Sequence, residues 1–174
     1  MTLDSFNALT HADAKHQLLG CCHCQQWATA LANMRPFESL EQLLQLADQL
    51  WLQANEAQIL EAFSGHARIG DIELLRSKYA GRATGEQGQV LAASDDVLNE
   101  LQRLNDLYFE KNQFIFIVCA SGKPAHVMLE LLQQRIHNCR DTELQNGAVQ
   151  QGYITRLRLQ QLFISTNAQA RVQP

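Results

Sequence analysis

The sequence predicts an all-α fold: a single-domain helical bundle of roughly eight helices with one short extended segment. Three observations lead there. Apolar residues recur at steps of three and four along most of the chain. Residues that cap helix N-termini stand ahead of several of these stretches. Only Phe114-Ile115-Phe116-Ile117-Val118-Cys119 is dense in aromatic and β-branched residues, and a lone strand has nothing to pair with. The length of 174 residues suits one domain, 1–174, and 46% hydrophobic against 18% charged residues supports a sizeable core.

A short amphipathic start runs through Phe6 and Leu9. Thr10, with Asp13 three residues later, marks a helix start. A further helix carries Cys22, Trp27, Leu31 and Met34 and ends near Arg35-Pro36, because proline disfavours helix in the residue before it. Ser39 with Gln42 fits a capping box, and Leu40, Leu43, Leu44, Ala47, Leu50 and Trp51 form a wide apolar stripe behind it. Ile59, Leu60 and Phe63 mark a short helix that stops before Ser64-Gly65. The aperiodic, glycine-bracketed stretch 64–70 reads as a loop, and the glycine-rich stretch 81–88 leads into a helix with Val90 and Leu91. Asp95 and Asp96 suit the positive end of the next helix, whose stripe is Val97, Leu101, Leu104 and Tyr108. After the extended run, Gly122-Lys123-Pro124 starts a helix with Val127, Met128, Leu131, Leu132 and Ile136 on one face. Asp141 opens a last long helix to about Phe163.

The net charge of −4 argues against nucleic acid as partner, since that role needs a basic footprint. No apolar run approaches the ~20 residues that span a bilayer. The first residues lack the pattern of a secretory signal and the last three are not a peroxisomal address, so a cytoplasmic protein is expected. Five cysteines, Cys21, Cys22, Cys24, Cys119 and Cys139, then read as free thiols buried on helices. Cys21-Cys22-His23-Cys24 does not have the paired spacing of a structural zinc site and has no second pair, so no metal is expected. Phosphate-binding loops, nucleotide fingerprints and nucleophile elbows are absent, and nothing asks for a cofactor.

The candidates for chemistry are ordinary side chains in unusual places. His66 alone of six histidines lies between glycines in a short loop; it is either a solvated loop residue or an acid/base group. Glu86-Gln87 is either an exposed helix start or a carboxylate and amide that bind a ureide. Arg156 and Arg158 lie two apart on the last helix, about 200° around its axis, so only one faces inward. Arg158 shares a ridge with Ile154 and Leu162, while Arg156 shares one with Gly152 and Gln160. Arg158 is therefore the inward one, and its partner is either a structural carboxylate or a substrate's.

Gly65-His66-Ala67-Arg68-Ile69-Gly70, Glu86-Gln87 and Leu101-Gln102-Arg103-Leu104-Asn105 with Tyr108 together resemble the 2-oxo-4-hydroxy-4-carboxy-5-ureidoimidazoline (OHCU) decarboxylases of purine catabolism. So do the run 114–118, Gly122-Lys123, Arg135-Ile136-His137-Asn138 and Arg158-Leu159, with Cys21-Cys22, Trp27 and Arg35-Pro36-Phe37 upstream. The resemblance covers nearly the whole chain in the family's order. It departs at Ala67, where the family usually has proline, and at Ala83, where it usually has serine, with Thr84 beside it.

The resemblance implies a cofactor-free carboxy-lyase of uric acid degradation. It would convert a small-molecule ureidoimidazoline to (S)-allantoin and carbon dioxide, as a homodimer, with neither membrane nor nucleic acid as partner. It implies His66 and Glu86 as catalytic residues, and Ala67, Thr84, Gln87, Phe116, Ile117 and Arg158 as substrate contacts. Two other readings stand beside it: a non-catalytic helical interaction protein of the same fold, and another ureide-processing enzyme.

Overall fold

Helix starts in this chain are written locally. In the computed structural model, which describes residues 1–66, 95–120 and 123–164, the Thr10 side chain accepts from the Asp13 N–H and caps α2 (His11–Cys21). Ser39 caps α4 (Leu40–Leu52) through the Gln42 N–H, although the Gln42 side chain reaches back to the Glu38 N–H instead of closing the box on Ser39. Asn55 and Gln58 form a complete capping box on α5 (Glu56–Ser64). With α1 (Leu3–Asn7), α3 (Gln25–Asn33), α6 (Asp95–Asn112), α7 (Ala125–Arg135) and α8 (Arg140–Ile164), eight helices and no strand occupy the described residues. The fold is all-α, as expected.

The chain divides into two compact units, Met1–Gly65 with Ala148–Pro174, and His66–Gly147. In the first, Phe6, Leu18, Trp27, Leu31, Leu43, Leu44, Trp51, Leu159 and Phe163 are buried together. Its two tryptophans are fixed by their polar ends: Trp27 Nε1 donates to the Ala47 carbonyl at 3.0 Å and Trp51 Nε1 to the Ala148 carbonyl at 2.8 Å. Arg35 ties α1 to the end of α3, donating to the carbonyls of Phe6 at 2.9 Å and Leu9 at 2.8 Å.

In the second unit α6, with Leu98, Leu101, Leu104 and Tyr108 buried, packs against α7, in which Met128 and Leu132 are buried. Gln113, with φ of 62°, ends α6 in the left-handed region, and the chain then runs without regular structure from Ile115 to Ala120. The run expected to be extended thus forms no strand, and Phe114, Phe116 and Ile117 in it are buried.

Three expectations need correction. The helix assigned to Cys22, Trp27, Leu31 and Met34 begins only at Gln25; Cys22 and Cys24 are extended, and Met34 caps the helix while largely exposed. The cysteines are not all buried on helices either, since Cys119 is half-buried and Cys139 exposed. Finally, the buried ridge of α8 is Glu143, Gly147, Gln151, Thr155, Leu159 and Phe163, whereas Ile154, Arg158 and Leu162 flank it half-buried. Hydrophobic periodicity missed that ridge because half of it is polar.

The three neighbouring thiols are buried and held protonated. Burial pushes Cys21 up to about 11, against the charge of Arg158, and Cys22 to about 12 despite a hydrogen bond with Thr155. Burial also raises Cys24. Exposed Cys139, in contrast, is lowered by its hydrogen bonds with Thr142. Iodoacetamide at pH 8 followed by peptide mass spectrometry should therefore label Cys139 in the folded protein and reach Cys21, Cys22 and Cys24 only after denaturation. Rapid native labelling of the three would contradict their burial.

Candidate functional site

α5 ends at Gly65, whose N–H bonds to the carbonyls of Ala62 and Phe63. A Cβ at Gly65 would run into the His23 side chain, so this close approach requires glycine. His66 follows as a bend, half-buried and engaged in an interaction. Ser64, expected in the loop, is instead the last residue of α5; Ala67, Thr84, Glu86 and Gln87 lie outside the described residues, as do 67–70 of that loop and the helix expected at Val90 and Leu91.

Phe116 and Ile117 belong to a tightly bonded cluster of the second unit. The Arg135 guanidinium carbon lies 4.6 Å from the centre of the Phe116 ring, and NH1 donates to the Ile117 carbonyl at 3.0 Å. Nε of the same arginine donates to Glu143 Oε2 at 2.9 Å, and NH2 is 2.8 Å from that oxygen. Glu143 is fully buried. It also accepts from Tyr108 at 2.6 Å and from Asn138 and Asn146 at 2.8 Å each. The Tyr108 ring meets those of Phe114 and Phe116 edge-on at 6.0 and 5.3 Å.

Burial pushes the Glu143 carboxyl up, but the donors from Arg135, Asn138, Tyr108 and Asn146 outweigh it and hold it below the usual carboxylate range. Burial, then the hydrogen bond to Glu143, raises the Tyr108 hydroxyl far from neutral pH, so it remains a donor. Residue spacing did not single this cluster out. The signal it left is the four-residue recurrence Glu143, Gly147, Gln151, Thr155, Leu159 along α8.

The two arginines of α8 differ by their partners within the first unit. Arg156 pairs with Asp48 at 2.6 Å and with Glu41 at 3.8 Å. Arg158 donates to the Cys21 carbonyl at 3.3 Å and has no carboxylate partner among the described residues. A half-buried guanidinium with one long bond to a carbonyl retains donors for an anionic or carbonyl oxygen. If a ligand's anionic or carbonyl oxygen sits there, Arg158→Ala should weaken its binding by roughly 2–5 kcal/mol. Arg156→Ala, which breaks partly exposed ion pairs, should change stability by only about 0–1 kcal/mol and leave binding intact. Ligand titration of both variants separates them; a larger binding loss at Arg156 would reverse the assignment.

Two surface recesses contain none of the expected site residues. One of about 210 Å³ is lined by Trp27, Leu50, Asn55 and Gln58, and one of about 380 Å³ by Arg103, Leu107, Ile136 and His137. Among the described residues no group of three or more His, Cys, Asp or Glu could hold a metal ion, and no helix is long and apolar enough to cross a membrane.

Comparison with known proteins gives a consistent picture. The OHCU decarboxylase family model matches residues 7–160. The uric acid degradation bifunctional protein TTL of Arabidopsis thaliana is 37% identical over 146 residues, 82% of this chain and 45% of that protein. The OHCU decarboxylase of Haloferax volcanii is 23% identical over 144 residues, 82% of this chain and 84% of that one. The chain thus spans less than half of the Arabidopsis relative, and 32% of each of two Bacillus bifunctional proteins. A crystal structure of OHCU decarboxylase in the presence of (S)-allantoin superposes with a TM-score of 0.71 at 32% identity, covering 84% of this chain and 96% of the other. An (S)-allantoin synthase structure gives 0.71 at 20% identity, over 94% and 54%, which is a likeness of fold.

Proposed function

The chain belongs to the OHCU decarboxylase family, and we propose that it is a cofactor-independent carboxy-lyase of uric acid degradation. In this reading it takes 2-oxo-4-hydroxy-4-carboxy-5-ureidoimidazoline stereospecifically to (S)-allantoin and carbon dioxide. The observation that carries the reading is the family match over residues 7–160, which includes every proposed site position from His66 to Arg158.

The substrate makes such chemistry accessible to plain side chains. Its ring has a C=N bond next to the carbon that bears the carboxylate. When carbon dioxide leaves, the electron pair of the broken bond delocalises into that C=N, so no separate electron sink is required. The protein's tasks are to orient the ring and to deliver a proton to one face. His66 is the acid/base group. Glu86 either orients His66 or accepts from ring and ureido N–H groups, and Gln87 pairs with the ureido amide. Thr84 supplies a hydroxyl near the position where Ala83 replaces the family's usual serine, and Ala67 follows the histidine in place of proline. Main-chain groups at Phe116 and Ile117 hold the hydantoin edge. A carbonyl oxygen has two lone pairs, so the bond from Arg135 fixes the Ile117 carbonyl without exhausting it. Arg158 takes an anionic or carbonyl oxygen.

The same reading makes the protein a cytoplasmic homodimer. None of the five cysteines is in a disulfide, which suits a reducing compartment. Exposed Val149 and Tyr153, one turn apart on α8, offer apolar surface for self-association. Sedimentation velocity reads the oligomeric state. The activity is tested by mixing fresh urate oxidation product, the ring hydrolase and this protein, and following allantoin by circular dichroism. Optically active allantoin should form faster than spontaneous decay allows; racemic product at the spontaneous rate would favour the non-catalytic alternative.

A further inference from the structure

The Ile117 carbonyl and the Phe116 ring are held by one side chain, and that side chain is paired with a carboxylate that is itself held from three other places. Arg135 lies against the Phe116 ring, donates NH1 to Ile117, and turns Nε and NH2 to Glu143. Glu143 in turn accepts from α6 through Tyr108, from the α7–α8 turn through Asn138, and from its own helix through Asn146. A planar guanidinium can serve a carboxylate and a carbonyl at once, whereas an ammonium is a point charge that cannot span both.

A buried ion pair is weak evidence for stability, since apolar residues of similar volume often serve as well or better. What apolar residues could not do is fix the direction of a backbone carbonyl. We infer that Arg135, locked by Glu143, is a positioning residue that sets the orientation of the Phe116-Ile117 main chain for ligand. The inference rests on the proposed role of that main chain in holding the hydantoin edge.

Arg135→Lys keeps the charge beside Glu143 but gives up the simultaneous bond to Ile117. Asn146→Ala removes a donor to Glu143 without touching the extended run, and so reports a purely structural loss. Backbone hydrogen exchange over residues 114–120 reads positioning; steady-state kinetics reads its consequence. Arg135→Lys should speed exchange in that segment and raise KM by about tenfold with kcat changed only a few-fold, the pattern of lost uniform binding. Asn146→Ala should do neither.

Equal effects in the two variants, or faster exchange with unchanged KM, would overturn the inference. A wild-type protein that forms no optically active allantoin would overturn the activity itself, a separate result read before any variant. Should Arg135→Lys not fold, Arg135→Met with Glu143→Gln removes both buried charges and carries the same expectation.

Discussion

Replacing His66 by alanine is expected to lower kcat by about 10²–10⁴-fold, the usual contribution of a general acid/base. Far-UV circular dichroism should remain that of the parent, because His66 follows the end of α5 instead of lying within it. His66→Asn should be as damaging, since an amide keeps hydrogen-bonding capacity but cannot exchange a proton near neutral pH. The substrate loses its carboxylate slowly unaided, so the informative measurement is optical activity as well as rate. A protein without its proton donor gives a product that drifts toward racemic. Near-normal formation of optically active allantoin by His66→Ala would sink the assignment and leave Glu86 as the remaining candidate for proton transfer.

The features legible in the sequence share a physical property: they are decided by residues a few positions apart. Thr10, Ser39 and the acidic start of α6 sit where an unsatisfied helix N-terminus needs them. His66 stood out for the same reason, as a titratable group set between Gly65 and Gly70. The break at Cys22-His23-Cys24 contains neither glycine nor proline and left no local mark. What holds it is tertiary: the buried Cys22 thiol meets Thr155 of α8, and the first N–H of α3 is met by the Glu61 carboxylate at 3.3 Å.

Glu143 was illegible for a deeper reason. A glutamate three residues inside a helix reads as a dipole partner facing solvent. Its burial makes sense only once Tyr108, Arg135, Asn138 and Asn146 are known to converge on it. Arg158 was singled out by its ridge, but that ridge flanks the buried one.

Glu143→Ala should be strongly destabilising, by about 3–5 kcal/mol in urea unfolding, the range for leaving one partner of a buried ion pair uncompensated. It would leave the largely buried Arg135 without its counter-charge and the Tyr108 hydroxyl without its acceptor. Acid should unmask the same carboxylate in the parent protein. Its donors hold it below the usual carboxylate range when folded, so its contribution is present above the unfolded value of about 4.3. That contribution is lost as pH falls through the folded value. Glu143→Gln, which has no proton to take up, should therefore be less stable than the parent at pH 7, and the gap should narrow progressively below about pH 4.3. Urea titrations of both proteins between pH 7 and acid check the expectation. A gap that stays constant with pH would mean that Glu143 is not ionised in the folded protein, and the reading of Arg135 as an arginine locked by charge would fall with it.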